Sequence, residues 1–99
     1  MIVQRITVRY KVGKVQEAIS LLKEMTKETQ GQGQFPGVVR FYTPRHISDT
    51  TVGDFEFENT SAMEQFWANW QTLQVVEEFG RKYDSLVEPG MIFEIFDVV

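Results

Sequence analysis

Cysteine is missing from this 99-residue chain, and histidine occurs once, as His46. Without thiols there is no disulfide framework and no thiolate metal site, and a single imidazole leaves any zinc or haem site to carboxylates alone. No metal or other cofactor is expected. Basic side chains are also in short supply: 10 Lys+Arg against 14 Asp+Glu give a formal charge of −4 and a pI near 4.9. The resulting field repels a phosphate backbone, which argues against nucleic acid as a partner. No apolar run approaches the roughly 20 residues that span a bilayer, and Arg5 and Arg9 interrupt MIVQRITVRY where a signal peptide would be continuously apolar. A cytoplasmic protein without a membrane partner is the expectation. What the chain does hold is 42% hydrophobic residues, enough at this length for one domain, residues 1–99, burying roughly two-thirds of its unfolded surface.

Residues 50–70, TTVGDFEFENTSAMEQFWANW, set the pattern for the rest. Thr51, Gly53, Phe55 and Phe57 alternate with Val52, Asp54, Glu56 and Glu58, so one side of an extended segment is apolar and the other charged. The period then changes from 2 to 3.6. Ser61 with Glu64 three residues on reads as a capping box, and Met63, Phe66, Trp67 and Trp70 form a helical stripe that can lie on the apolar side of that strand.

Elsewhere the same two periods recur. Ile2, Ile6, Val8 and Tyr10 share one face of a first strand, with Gln4 the polar exception, and Arg5, Thr7 and Arg9 lie on the other. A turn at Val12-Gly13-Lys14 leads to a one-sided helix over Val15, Ala18, Ile19, Leu22, Met25 and Thr26, reaching about Gln30. GQGQFPG at 31–37 ends it, in a loop able to take positive φ. Val39 and Phe41 alternate with Arg40 and Tyr42 in a second strand, and PRHISDT at 44–50 reads as a hairpin loop. Beyond Trp70 the apolar stripe shifts phase to Val75, Val76, Phe79 and Tyr83, which calls for a kink or break near 71–74. Glu77 with Arg81 and Glu78 with Lys82 are i, i+4 pairs on a solvated face. After Pro89-Gly90, Met91 to Val99 is a strand apolar on nearly both faces, interrupted by Glu94 and Asp97. Such a strand must be covered on both sides.

The order β-α-β-β-α-β predicts an α+β, ferredoxin-like fold: a four-stranded antiparallel sheet in the order 4-1-3-2 with its helices on one face. Ile6, Val8, Val39, Phe41, Phe55, Phe57, Phe93 and Ile95 then face the helices. Arg5, Thr7, Arg9, Arg40, Tyr42, Asp54, Glu56, Ile92, Glu94, Phe96 and Val98 take the other face, with Arg5 and Arg9 set opposite Asp54, Glu56 or Glu58. An apolar patch beside a charged strip marks an interface, and a two-fold homodimer hides it with one self-complementary surface.

The stretches VRYKVGKVQEAISLLKEM and ENTSAMEQFWANWQTLQVVEEFGRKYDSLVEPGMIFEIFDVV resemble the dimeric α/β-barrel superfamily, and within it the small domains of the antibiotic-biosynthesis-monooxygenase type, with NIPSNAP-like domains a second choice. The resemblance implies a homodimer whose two sheets face each other, helices outside, and a pocket between sheet and helices in each protomer. Relatives bind aromatic polyketides, quinols or haem there, and several oxygenate a substrate without flavin or metal, drawing on its own electron-rich ring. Many carry histidines along the second helical region, where this chain has Trp70 and Val75.

Each candidate group reads two ways. Trp67 and Trp70, with Phe55 and Tyr83, can wall a pocket for a small flat aromatic ligand, and equally can be plain core, since each buried aromatic stabilises by roughly 1.5 to 3 kcal/mol with no ligand. Asn69 could orient an oxygen, but it lies off the stripe and points to solvent. His46 is the chain's one imidazole and the default general base, yet it sits in a polar loop where a lone imidazole is commonly a bracing group. Arg9, Arg40 and Tyr42 could hold a polar substrate, or serve only in cross-strand and cross-dimer pairs, with Tyr42 a second catalytic candidate beside His46. Three functions follow as expectations: a cofactor-independent monooxygenase-like protein binding a flat hydrophobic molecule; a non-catalytic binding or oligomerisation module of the same fold; or a hydrolase or isomerase using buried carboxylates.

Overall fold

Each alternating segment can bury one side while the other meets charge, and four of them pair into one antiparallel sheet. The computed structural model describes residues 1–31 and 38–99. The elements are β1 (Ile2–Arg9), α1 (Val15–Gly31), β2 (Val39–Tyr42), β3 (Thr50–Phe57), α2 (Thr60–Trp70), α3 (Gln74–Leu86) and β4 (Ile92–Asp97). The sheet order is β2-β3-β1-β4, which is the expected 4-1-3-2 read from the other edge. The loop expected over 31–37 lies outside the described residues, apart from Gly31 at the end of α1.

The register sorts the residues as their alternation predicts. Ile2, Gln4, Ile6 and Val8 stand opposite Phe57, Phe55, Gly53 and Thr51 on the helix side. On the far side Arg5 is opposite both Asp54 and Glu94. Its guanidinium grips the Asp54 carboxylate through two bonds, 2.8 and 3.0 Å, and lies 5.5 Å from the Phe96 ring centre. The hydrogen bond and charge of Asp54 raise the Arg5 pKa further. Arg9 does not join such a pair: the register sets it opposite Thr50, beyond reach of the strand's carboxylates.

Two hydrophobic clusters hold the helices to the sheet. Ile2, Phe55 and Phe57 pack with Met63 of α2, flanked by Phe66 and Trp67. Val8 and Tyr10 pack with Ala18 of α1 and Leu86 of α3, flanked by Val15, Leu21 and Tyr83. Ile6 touches both and is fully buried by neither. Backbone bonds stitch the end of β1 to its surroundings, with Tyr10 N–H donating to Asp49 O (2.7 Å) and Lys11 N–H to Leu86 O (2.8 Å). Asp49 takes φ 53, a left-handed conformation that Asp tolerates better than most residues, and its carboxylate accepts the Gly13 N–H at 3.2 Å.

Two helical details depart from expectation. The cap of α2 is Asn59, extended at φ −160 and ψ 176, whose side chain accepts the Ala62 N–H at 2.8 Å. Ser61 lies inside the first turn of the helix, two residues past this cap. The expected kink is a full break. Thr72 Oγ1 donates to Asn69 O (2.7 Å) and Leu73 turns extended, so α2 ends and α3 begins with its stripe rotated. Of the two expected i, i+4 ion pairs only Glu77–Arg81 closes, at 3.6 Å.

Strand β4 departs from expectation: all six of its residues are exposed, among them Phe93 at 59% and Ile95 at 53%, which the alternation sets against the helices. The described residues do not supply the covering on both sides that its composition calls for.

Replacing Asn59 by Ala should lower unfolding free energy by about 1 kcal/mol, while Ser61→Ala should stay within about 0.5 kcal/mol of the parent. Urea unfolding followed by circular dichroism measures both, and equal losses would contradict the assignment of the cap.

Candidate functional site

Ile6 links the two clusters, and beside it opens a cavity of about 650 Å³. Its floor is the helix side of the sheet, from Gln4, Ile6 and Val8 on β1 to Thr51, Gly53 and Phe55 on β3. Gly53 matters here: a Cβ on it would stand 3.1 Å from the Phe55 ring and 3.2 Å from Phe41, so its bare backbone lets both rings close over the strand. Leu22 and Met25 of α1 form one wall, Trp67 and Trp70 of α2 another, and Val76, Gly80 and Tyr83 of α3 the third. Glu77, Arg81 and Asp84, all exposed, mark the mouth.

The tryptophan wall is braced ring by ring. Phe55 meets Trp67 at 5.2 Å and 70°, Phe66 meets Trp67 at 4.8 Å and 78°, and Trp67 meets Trp70 at 5.9 Å and 77°. These edge-to-face contacts fix the rings and leave faces for a flat molecule. Trp67 is also pinned by a 2.6 Å hydrogen bond from its Nε1–H to Gln4 Oε1.

At the opposite end three hydroxyls form a chain, Thr51 Oγ1 to Tyr10 Oη at 2.6 Å and Tyr10 Oη to Tyr83 Oη at 2.7 Å. Burial raises both phenol pKa values, Tyr83 far above the ordinary range with Tyr10 adding to the effect, and Tyr10 less because its hydrogen bonds oppose the rise. Near neutrality both are hydrogen-bonding phenols, and neither is a base.

Of the residues expected at a site, Trp67, Trp70, Phe55 and Tyr83 come together on this cavity. Arg9, Arg40 and Tyr42 do not line it: their parity puts them on the opposite face of the sheet, Arg40 across from Asp54, whose carboxylate Arg5 holds. His46 is exposed in the loop between β2 and β3, and Asn69 is exposed on α2. Gln4, Thr51 and Tyr10 are the polar groups that sequence reasoning left out of the site. Only Gln4 left a trace, as the break in an apolar row.

This arrangement belongs to a recognisable class of folds, the ferredoxin-like sheet with its helices over one face and a chamber between the layers. No family model matches the chain, and no curated protein matches it. Among solved structures, one described as an antibiotic biosynthesis monooxygenase superposes with a TM-score of 0.77 at 11% identity, over 100% of this chain and 99% of that one. A NIPSNAP domain protein from Burkholderia xenovorans gives 0.83 at 15% identity over 100% and 95%. A NIPSNAP family protein from Agrobacterium tumefaciens gives 0.85 at 15% over 99% and 92%. The chain therefore has the fold of antibiotic-biosynthesis-monooxygenase-like and NIPSNAP domains. Among its described residues, no helix is long and apolar enough to cross a membrane.

The raised phenols carry a pH signature. The folded state holds these protons more tightly than unfolded tyrosine, whose pKa is about 10, so their contribution is full below that value and is lost as pH rises above it. Stability should fall between about pH 9 and pH 11, and the fall should be shallower in Tyr83→Phe. Urea midpoints across that range test it; identical slopes in the two proteins would contradict the burial of this hydroxyl chain.

Proposed function

We propose that the protein binds a small flat hydrophobic or aromatic molecule in this cavity and oxygenates it in the manner of a cofactor-independent monooxygenase. The cavity carries the proposal. Its volume of about 650 Å³ falls in the range of small-molecule sites, roughly 300 to 1,000 Å³, and the tryptophans wall it without filling it. The fold shared with a protein described as an antibiotic biosynthesis monooxygenase supports the same reading. In such a reaction the substrate supplies the electrons: a ring methylene becomes a carbonyl with one oxygen atom of O2, and the other leaves as water with the two hydrogens. Trp67 and Trp70 hold the ring, and a phenol hydroxyl donates to its oxygen as charge gathers there.

The reading includes a homodimer. Ile92, Phe96 and Val98, exposed by 54%, 42% and 52%, form an apolar patch along the β4 edge of the sheet, while Tyr42, 44% exposed, stands at the opposite edge on β2. A second copy covers it with the same surface. Arg9 and Arg40 then face the partner across the joined sheets, within the barrel.

Two measurements test this. Oxygen uptake with panels of phenols and quinols should persist in chelator and drop at least about tenfold in Trp70→Ala, a loss of about 1.4 kcal/mol. Binding without uptake would leave a non-catalytic binding module. Sedimentation should find a dimer in the parent protein and monomer or aggregate in Phe96→Asp, and an unaltered dimer in that variant would rule out the far face as the interface.

A further inference from the structure

Gln4 is out of place by composition. It stands among Ile2, Ile6 and Val8 on the buried side of β1 and is only 8% exposed. A primary amide buried in an apolar row is costly unless both its ends are hydrogen-bonded. Its oxygen end is satisfied by Trp67 Nε1–H at 2.6 Å. An indole can only donate, so chemistry fixes the amide with oxygen toward Trp67 and nitrogen away from it. No acceptor among the described residues takes the Nε2 hydrogens. Neither is that nitrogen sealed in, since no fully buried side-chain polar atom lacks a partner, and Gln4 lines the cavity. The amide N–H groups therefore have the cavity as their outlet.

The hydroxyl chain has a matching surplus. Thr51, Tyr10 and Tyr83 bring one hydrogen each and use two in the bonds between them. The third is available to an outside acceptor at one end of the chain, and both end residues, Thr51 and Tyr83, border the cavity. This second donor lies toward Val8, which faces Thr51 four residues along β1 from Gln4, about 13 Å of strand. Between the two donors the lining is apolar. The charged lining residues Glu77, Arg81 and Asp84 are all at the exposed mouth, with Glu77 and Arg81 paired to each other.

We propose that Gln4, oriented by Trp67, is a specificity-determining residue that selects a neutral ligand carrying a carbonyl-type oxygen acceptor at the end that lies against β1. This rests on the cavity being a site for flat molecules. It adds which group on the molecule is recognised, and by what. A ligand oxygen accepts from Gln4 Nε2 while its ring lies along the tryptophan wall. A hydrocarbon of the same shape leaves the amide unpaired and binds more weakly.

Isothermal titration with fluorenone and fluorene, two planar probes that differ by one carbonyl, tests the proposal. The parent protein should prefer fluorenone by about tenfold, or about 1.4 kcal/mol. Gln4→Leu should abolish that preference by weakening fluorenone and not fluorene. Gln4→Glu, measured at a pH where its carboxyl is ionised, keeps an oxygen for the Trp67 indole, whose N–H resonance should stay in place, yet has no hydrogen to offer the cavity, so it too should lose the preference. Equal affinity for the two probes in the parent, or an equal weakening of both in the variants, would make Gln4 a brace for Trp67 and overturn the proposal while leaving the cavity a binding site. Failure of both probes to bind would overturn the reading of the cavity and this inference with it.

Discussion

The ladder between β1 and β3 governs this molecule. Eight residue pairs set two opposed surfaces back to back, and slipping that register by one residue would exchange them completely. On one surface the ladder aligns Ile2 with Phe57, Gln4 with Phe55 and Ile6 with Gly53, which gives the helices their apolar bed and the cavity its floor. On the other it brings Arg5 to Asp54 in a two-point ion pair. A slip would bury that pair's charges under the helices at a cost of several kcal/mol per ion, so the charged face protects the register of the apolar one.

The helices then meet the sheet at two places rather than along its whole length. Met63 anchors α2 at one end, and Ala18 and Leu86 anchor α1 and α3 at the other. The break at Gln71–Leu73 makes this division feasible, because α3 starts afresh after it and brings Tyr83 and Leu86 to the far cluster. A single unbroken helix would have carried the first stripe on. The chamber lies between these two attachments, with Gln4 toward one and Thr51 and Tyr83 toward the other.

Much of this was legible in the sequence. Strand parity and the shift of phase after Trp70 follow from periods of 2 and 3.6, which are local properties of the chain, and the strand order follows from the sequence of elements. The cap of α2 was not, because Asn59, Thr60 and Ser61 are all good capping residues and only the backbone at Asn59 decides among them. Parity also separates the expected site residues: Phe55 shares the helix side with the tryptophans, whereas Arg9, Arg40 and Tyr42 have the opposite phase. The Gln4 anomaly was visible, but its partner Trp67 lies 63 residues away. The Tyr10 hydroxyl finds Thr51 across 41 residues and Tyr83 across 73, and no periodicity encodes such meetings.

A planar molecule enters this structure, if at all, through the space between the sheet floor and the tryptophan wall. A crystal structure of the protein grown with a flat aromatic ketone examines that space directly. Density for a planar ring beside Trp67, against the sheet floor at Ile6 and Val8, is the predicted result. Trp70 or Met25 folded into the space, with the ketone absent or bound elsewhere, would contradict it.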